Sequence, residues 1–221
     1  MRPLALPELT GASTLSDRLY DVLEEAVITG AFEAGQRLNA DDLAKHFGIS
    51  RIPVREALRA LDANGWIELR PRHGAYVRQR TDNELNELFE VRLLLEAESA
   101  RLAAQRRTER QLEHLSSIVD AGRAAAAAGG DAEVTRLNTE FHTTMAACAH
   151  NDVLASLLEG LSKRVRFYFS AAVNVRGKES VEEHALLVDA LRAHDAASAA
   201  HYIQEHIRST RAAVAAELPG A

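Results

Sequence analysis

The sequence predicts a mainly α-helical protein with a small N-terminal part that contains a β-hairpin and a larger, all-helical C-terminal part. Apolar residues recur at helical spacing through most of the chain, beginning with Leu15, Leu19 and Val22. Residues 66–77 are different, because two short runs rich in β-branched and aromatic residues flank the turn sequence PRHG. No strand pattern remains after residue 83, so the sheet is confined to the first part.

Composition limits the classes of protein to which the chain can belong. It has 221 residues, of which 47% are hydrophobic and 26% charged, as in a globular protein with a sizeable core. The single cysteine, Cys148, excludes an internal disulfide framework and favours a reducing compartment. The start of the chain lacks the apolar segment of a signal peptide, and no apolar run reaches the length of a membrane span. We therefore expect a cytoplasmic protein with no membrane partner.

The N-terminal part divides into an arm, a domain and a linker. Residues 1–13 contain proline and glycine without periodicity and predict a flexible arm. Residues 14–78 predict a domain with these elements in order: a helix from Ser16 that stops at Gly30, a turn with a short extended piece at 32–38, helices at 40–48 and 50–65, and the hairpin. The polar segment 79–83 predicts a linker.

The C-terminal part, residues 84–216, predicts a bundle of six helices. The helical segments lie near residues 84–106, 108–128, 131–149, 152–173, 179–193 and 196–216. Alanine is abundant throughout these segments and favours the helical state.

Two short helices followed by a hairpin is the element order of a winged helix-turn-helix, in which the second helix enters the major groove of DNA. Arg51, Arg55 and Arg59 recur at four-residue spacing on that helix. A row of arginines is commonly only a solvated face. However, residues 50–78 hold six Arg and three acidic residues, whereas the whole chain has a formal charge of −6. Positive charge concentrated where phosphates and guanine edges would be met favours DNA binding.

The segment GQRLNADDLAKHFGISRIPVREALRALDANGWIELRPRHGAYV resembles the DNA-binding domain of GntR-family regulators, and SRIPVREALRAL is its most specific part. The resemblance implies that these residues contact double-stranded DNA: Arg37, Ser50, Arg51, Arg55, His73 and Gly74. A glycine at the wing tip also makes physical sense, because it lets the backbone approach the minor groove. Ile52 stands where Thr or Ser is common in the family, and we do not count it among the DNA contacts.

Polar side chains interrupt the apolar faces of three helices in the C-terminal part. Asn138 and His142 lie on one such face, and His184 and His206 lie on the faces of two later helices. Taken singly, each histidine is more commonly a hydrogen-bonded core residue than a ligand. Burial of four polar groups in one core is costly, however, unless they meet one another or a shared partner. Imidazole nitrogens suit zinc, nickel, iron or copper, so a metal site is the sharper hypothesis.

The C-terminal part also resembles the FCD ligand-binding domain of the FadR subfamily, and its six helices look like those of the VanR-like branch. The segments EVRLLLEAESARLAA, NTEFHTTMAACAHNDVL, EEHALLVDALRAHDAASAA and HIRST carry this resemblance. In metal-binding members an Asp and three His hold a divalent ion. The resemblance therefore implies a metal site at Asn138, His142, His184 and His206, with Zn²⁺ as the first candidate and Ni²⁺, Fe²⁺ or Mn²⁺ as alternatives.

Asn138 in place of the expected Asp changes the chemistry of this site. An Asn carbonyl brings no negative charge, so the site should bind a cation more weakly and should attract an anion once it is loaded. We therefore expect a small organic acid as the effector, whose carboxylate binds the metal and supplies the missing charge. In the metal-free alternative, the same side chains bind the effector by hydrogen bonds: Asn138, His142, His184 and His206. The resemblance further implies that Arg92 reaches the pocket and meets a carboxylate, for which its geometry is suited; a surface or interface role is an equal alternative.

The function expected from the sequence is that of a homodimeric, effector-responsive transcriptional regulator, and a repressor rather than an activator. The dimer is expected because one winged helix has a small footprint, and it predicts a palindromic operator. Two alternatives remain open at this point. A three-histidine site with an open position also suits a metal-dependent enzyme, although no H-E-x-x-H motif or pair of inward carboxylates supplies a general base. A purely structural metal that locks the helices is the second alternative.

Overall fold

The structure is a computed structural model that describes residues 13–169 and 176–217. The chain divides into two compact units between Gln79 and Arg80. Nearly all of the arm predicted at residues 1–13, and the end of the helix predicted at 152–173, lie outside the described residues.

The first unit has the element order of a winged helix-turn-helix, as predicted. Its helices and strands are α1 (Leu15–Ile28), β1 (Arg37–Leu38), α2 (Ala40–Phe47), α3 (Arg51–Ala63), β2 (Ile67–Arg70) and β3 (Gly74–Val77). The strands form an antiparallel sheet in the order β1-β3-β2, so β2 and β3 make the predicted hairpin and β1 adds a third strand. Apolar residues of α3, among them Val54 and Leu61, are fully buried, which leaves the arginines of this helix in solvent.

The turn between α2 and α3 depends on the left-handed backbone of Gly48, whose φ is 65°. We expect Gly48→Ala to lower the free energy of unfolding by about 1–2 kcal/mol, which is the strain of an L side chain in this region. An added Cβ would meet no described atom within 4 Å that could offset this strain. Gly160→Ala is the control, because Gly160 lies inside a helix, where Ala is favoured by about 1 kcal/mol. Thermal unfolding should shift in opposite directions for the two variants, and a shift in the same direction would contradict the explanation.

The second unit is an all-α bundle, as predicted. Its described helices are α4 (Asp82–Arg106), α5 (Glu109–Ala127), α6 (Asp131–Cys148), α7 (Asp152–Phe169), α8 (Gly177–Arg192) and α9 (Ala196–Glu217). The long helices α4 and α9 pack along each other, and α6 and α8 contact α4 as well. Within the described ranges, no helix combines the length and the apolar character needed to cross a membrane.

The start of α4 differs from the sequence-based expectation. The helix begins at Asp82 rather than at residue 84, because the Thr81 side chain caps it by accepting a hydrogen bond of 3.2 Å from the backbone N–H of Glu84. The segment outside regular structure is therefore shorter than the linker predicted at 79–83. The helix α8 also begins two residues early, at Gly177 rather than at residue 179, without a side-chain cap.

Cys148, the one cysteine of the chain, is fully buried at the end of α6. Burial raises the pKa of its thiol to about 11, in spite of the opposing charge of Arg107. Because only the thiolate is a nucleophile, we expect iodoacetamide at pH 8 to leave Cys148 unmodified in the folded protein and to alkylate it in denaturant. Mass spectrometry of both samples measures this, and rapid alkylation of the folded chain would show that the thiol is accessible.

Candidate functional site

Three histidines from three different helices meet in the core of the second unit. His142 comes from α6, His184 from α8 and His206 from α9, and one ring nitrogen of each lies within 4.8 Å of the others. His184 and His206 are 4% and 2% exposed, and His142 is partly buried. The structure thus brings together the three histidines that the sequence placed on separate apolar faces.

Carboxylates fix the tautomers of two of these rings. Nδ1 of His142 donates to Oε2 of Glu96 over 2.6 Å, and Nδ1 of His206 donates to Oε2 of Glu183 over 2.9 Å. An ionised carboxylate only accepts hydrogen bonds, so each Nδ1 carries the proton and each Nε2 presents a lone pair. The two Nε2 atoms are 3.2 Å apart. Two nitrogens bound to one tetrahedral Zn²⁺ at about 2.05 Å lie about 3.3 Å apart, so the observed spacing fits a shared ion.

The third ring, His184, offers a nitrogen without a partner. It stacks on Phe141 with ring centroids 3.9 Å apart, which fixes its plane. Its Nε2 is buried and has no hydrogen-bond partner among the described residues. Burial, reinforced by the nearby charges of His206 and His142, holds the pKa of His184 well below its usual value, and burial lowers the pKa of His206 to about 4 despite the bond to Glu183. Neutral imidazoles with free Nε2 lone pairs are the form that binds a metal.

The structure corrects the expectation that no pair of carboxylates faces inward. Glu96 is 5% exposed and Glu183 is partly buried. Burial alone would raise the pKa of both carboxyl groups. At Glu96 the charge of Arg92 and the interaction with His142 outweigh burial, and the pKa is lowered. At Glu183 the hydrogen bonds from His206 and Arg176 have the same effect. Neither glutamate was predicted as a site residue. The i, i+4 spacing of Arg92 and Glu96 was the available signal for an ion pair, but not for its burial.

Arg92, which was predicted as an effector ligand, lies beside the histidines. It is 4% exposed, and its Nε donates to Glu96. Its Nη2 lies 3.3 Å from Nε2 of His142, whereas its Nη1 is buried without a hydrogen-bond partner in the described part of the chain. A buried guanidinium nitrogen without a partner is costly, so this atom marks a position where an acceptor from a ligand would be favourable.

Asn138 lies one helical turn before His142 on α6. Its side-chain oxygen accepts a hydrogen bond of 3.2 Å from the hydroxyl of Ser180 on α8. A carbonyl oxygen has two lone pairs, so this bond leaves one of them for another partner. Asn138 also lines a cavity of about 320 Å³ together with Arg92, Glu96 and His142.

This cavity lies between α6 and α7, and His142 is the member of the histidine cluster that lines it. Its volume lies at the lower end of the roughly 300–1,000 Å³ that small-molecule sites occupy. Thr135, Thr139 and Thr143 of α6 line it, and each hydroxyl donates to the backbone carbonyl four residues earlier, over 3.0, 3.2 and 3.0 Å. Because their protons are used in this way, the threonine oxygens are left to accept hydrogen bonds. The α7 side contributes apolar residues such as Leu158 and Leu161, together with polar and charged residues that include Glu159 and Arg166.

Five arginines and Gly74 line one depression on the surface of the first unit. We call these arginines the basic face: Arg37, Arg55, Arg59, Arg70 and Arg72. Arg70 pairs with Glu68 over 2.9 Å. The side chains of the other four arginines make no hydrogen bond or ion pair with any residue that the structure describes. Guanidinium groups that are free and close together suit the phosphates and guanine edges of DNA.

The wing contributes Gly74 and His73 to this region. The φ of Gly74 is 108°, and a Cβ at this position would lie 3.2 Å from Nε of Arg37, so a side chain there would strain the backbone and press on that arginine. His73 is exposed in the turn between β2 and β3. The glycine therefore leaves room for the side chain of Arg37, one of the predicted DNA contacts.

The remaining predicted DNA contacts lie at the start of α3. Ser50 is the exposed N-cap residue, but its side chain makes no capping hydrogen bond. Arg51 forms an exposed ion pair of 2.9 Å with Asp41. Such a pair contributes little stability, about 0–1 kcal/mol, so Arg51 can exchange it for a phosphate. Ile52 is 69% exposed beside these residues.

Comparison with known proteins relates both units to one family. The model of bacterial regulatory proteins of the gntR family matches residues 15–77, and the FCD domain model matches residues 87–209. The HTH-type transcriptional regulator YdhC of Bacillus subtilis is 28% identical over 86% of this chain and 86% of its own length. The HTH-type transcriptional repressor NanR of Cronobacter sakazakii is 29% identical over 94% of this chain and 86% of its own. The structure of E. coli McbR/YncC superimposes with a TM-score of 0.78 at 25% identity, covering 93% of this chain and 99% of that one.

Proposed function

Because this chain belongs to the GntR family of bacterial regulatory proteins and carries an FCD domain, we propose that it is a repressor that responds to a small carboxylate. Membership of the family makes the chain a DNA-binding transcriptional regulator and not an enzyme. This removes the metal-dependent enzyme from the alternatives. The similarity to NanR, which is named as a repressor, supports repression as the mode of regulation.

The proposal rests on one arrangement of atoms in the second unit. Nε2 of His142 and Nε2 of His206 face each other at 3.2 Å, and the buried Nε2 of His184 and Nη1 of Arg92 have no partner among the described residues. Lone pairs that face each other repel unless a cation or a proton lies between them. The unpaired guanidinium nitrogen of Arg92 beside the same cluster favours binding of an anion. A divalent ion with a carboxylate satisfies both requirements.

We propose that His142, His184, His206 and Asn138 hold the divalent ion. Nitrogen ligands with one amide oxygen suit Zn²⁺ or Ni²⁺ better than Mg²⁺ or Ca²⁺, which prefer oxygen. All four side chains are neutral, so the ion keeps its double positive charge. When bound, it would supply a centre to which a carboxylate oxygen can coordinate.

Arg92 would couple the ion to the effector. When His142 gives its Nε2 lone pair to an ion, Nη2 of Arg92 loses its present acceptor at 3.3 Å. Both terminal nitrogens of the guanidinium are then unpaired next to a positive ion. A carboxylate matches the two nitrogens bidentately and reduces the repulsion, so the ion and the effector should bind cooperatively.

The wall of the cavity favours a particular kind of carboxylate. The oxygens of Thr135, Thr139 and Thr143 can accept hydrogen bonds along its length. An effector with hydroxyl donors on a short carbon chain would use these acceptors while its carboxylate meets Arg92. A volume of about 320 Å³ limits it to a small molecule.

On the DNA side, we propose that two copies of the chain bind a palindromic operator. Each copy would insert α3 into the major groove, with the basic face on the phosphates and Gly74 at the minor groove. Arg37, Ser50, Arg51, Arg55 and His73 are the contacts proposed for each half-site. The effector would change DNA affinity through the short segment that joins the two units.

Metal and effector binding can be tested together. We expect the purified protein to contain a divalent metal, and small hydroxycarboxylates to raise its melting temperature only when no chelator is present. Arg92→Gln should abolish this rise, whereas Arg101→Gln, at a partly exposed position on the same helix that pairs with Glu98, should not. Equal metal affinity with and without the effector would refute the coupling. Unfolding by chelator alone, with no carboxylate response, would instead support a structural metal.

A further inference from the structure

Two parallel chains of hydrogen bonds lead from the histidine cluster to buried or partly buried arginines. His142 donates to Glu96, which also accepts from Arg92. In the same way, His206 donates to Glu183, which also accepts from Arg176. The two chains lie on different helices, since α4 provides Glu96 and α8 provides Glu183. Each therefore has the order histidine, glutamate, arginine, with the Nε2 of the histidine directed to the common point.

The lack of negative charge among the four proposed ligands indicates what these hydrogen-bonded chains contribute. Asn138 and three neutral imidazoles bring no negative charge to a divalent ion. The closest carboxylates are one residue removed, at Nδ1 of two of the imidazoles. A carboxylate that accepts the Nδ1 proton makes Nε2 more basic and holds the ring in one orientation, and loss of such a partner typically lowers metal affinity about 10- to 100-fold.

We propose that Glu96 and Glu183 are positioning residues that supply, through His142 and His206, the negative charge that Asn138 does not bring to the metal. This inference rests on the proposed metal site. It explains how a set of neutral ligands can hold a divalent ion without a carboxylate in direct contact with it. The arginines at the ends of the chains hold the carboxylates in place, so that neither turns towards the ion.

Neighbouring glutamates on α8 allow a matched test. Glu183→Gln removes the charge at His206 but keeps an oxygen that can accept from Nδ1. Glu182→Gln removes the same charge one residue earlier, where the carboxylate is exposed and pairs with Arg123 over 2.8 Å. We expect Glu183→Gln to lower Zn²⁺ affinity about 10- to 100-fold, measured by competition with a chromophoric chelator, and Glu182→Gln to leave it unchanged within about threefold.

A second substitution separates charge from structure. Asn138→Asp returns a carboxylate to the ion itself. If Glu183 supplies charge, Glu183→Gln should lower Zn²⁺ affinity by a smaller factor in the Asn138→Asp background than in the wild-type chain, whereas a purely structural role of Glu183 predicts the same factor in both. Glu96→Gln should lower Zn²⁺ affinity as Glu183→Gln does. It also leaves the buried Arg92 without its ion partner, so the melting temperature of this variant in chelator is measured to detect a loss of stability.

The outcomes distinguish this inference from the proposed function. Suppose that the wild-type chain binds Zn²⁺ and that Glu183→Gln binds it with the same affinity, or that Glu182→Gln lowers the affinity equally. Either result overturns the role of Glu96 and Glu183 and leaves the proposed metal site intact. Failure of the wild-type chain to bind Zn²⁺ overturns both proposals.

Discussion

Replacing His184 or His206 by Ala is expected to remove the metal from the protein and to abolish its response to carboxylates, without loss of DNA binding by the effector-free protein. Each substitution deletes one of three nitrogens that converge within 4.8 Å, and these three histidines are the group of possible direct metal ligands in the described part of the chain. The loss of affinity should exceed the roughly 10- to 100-fold cost of removing an outer partner, because a ligand itself is lost. Elemental analysis and titration with Zn²⁺ measure the effect.

His201→Ala is the matched control for His206→Ala, since His201 lies on the same helix, α9, and is exposed. It should keep wild-type metal content. A histidine that serves only as a core residue would give a different result: His184→Ala would lower stability in chelator, because the ring packs on Phe141, while metal content stayed intact. Intact metal content in both variants would remove His184 and His206 from the site.

The fold was predictable because its elements carry local signals. Gly48 follows the end of α2 and Gly65 lies in the turn after α3, and both have a positive φ. Two β-rich runs around a turn predict the hairpin of β2 and β3. The histidine cluster was predictable for a different reason. Polar groups on the apolar faces of separate helices need partners in the core. The sequence alone therefore predicts that His142, His184 and His206 lie close together.

The partners of these histidines were not predictable in the same way. Glu96 and His142 are 46 positions apart, and Glu183 and His206 are 23 apart, so their pairing depends on how the helices pack. Consecutive residues of a helix point apart, so Glu183 points away from its neighbour His184. This direction takes its carboxylate to His206 on another helix. Only tertiary packing shows that both residues serve one cluster.

Arg55→Ala is expected to abolish specific operator binding while the fold stays intact. Arg55 is exposed on α3 and lines the basic face, and its side chain makes no hydrogen bond or ion pair with a described residue, so its removal leaves nothing unpaired. A bidentate contact with a guanine contributes about 1–3 kcal/mol of discrimination. If two copies bind one palindrome, the loss is about 2–6 kcal/mol, or roughly 30-fold to 25,000-fold in affinity. Fluorescence anisotropy on an operator selected from random DNA with the wild-type protein measures it.

The salt dependence of binding decides what Arg55 contacts. If it reads a base, Arg55→Ala lowers the ratio of specific to non-specific affinity and leaves the salt dependence of non-specific binding nearly unchanged. If it only neutralises a phosphate, both affinities fall together and the slope against log salt decreases by about 1 for each lost contact. Arg18→Ala, at an exposed position on α1 that does not line the basic face, should change neither quantity. Unchanged operator binding by Arg55→Ala at moderate salt would show that α3 is not the helix that reads the DNA.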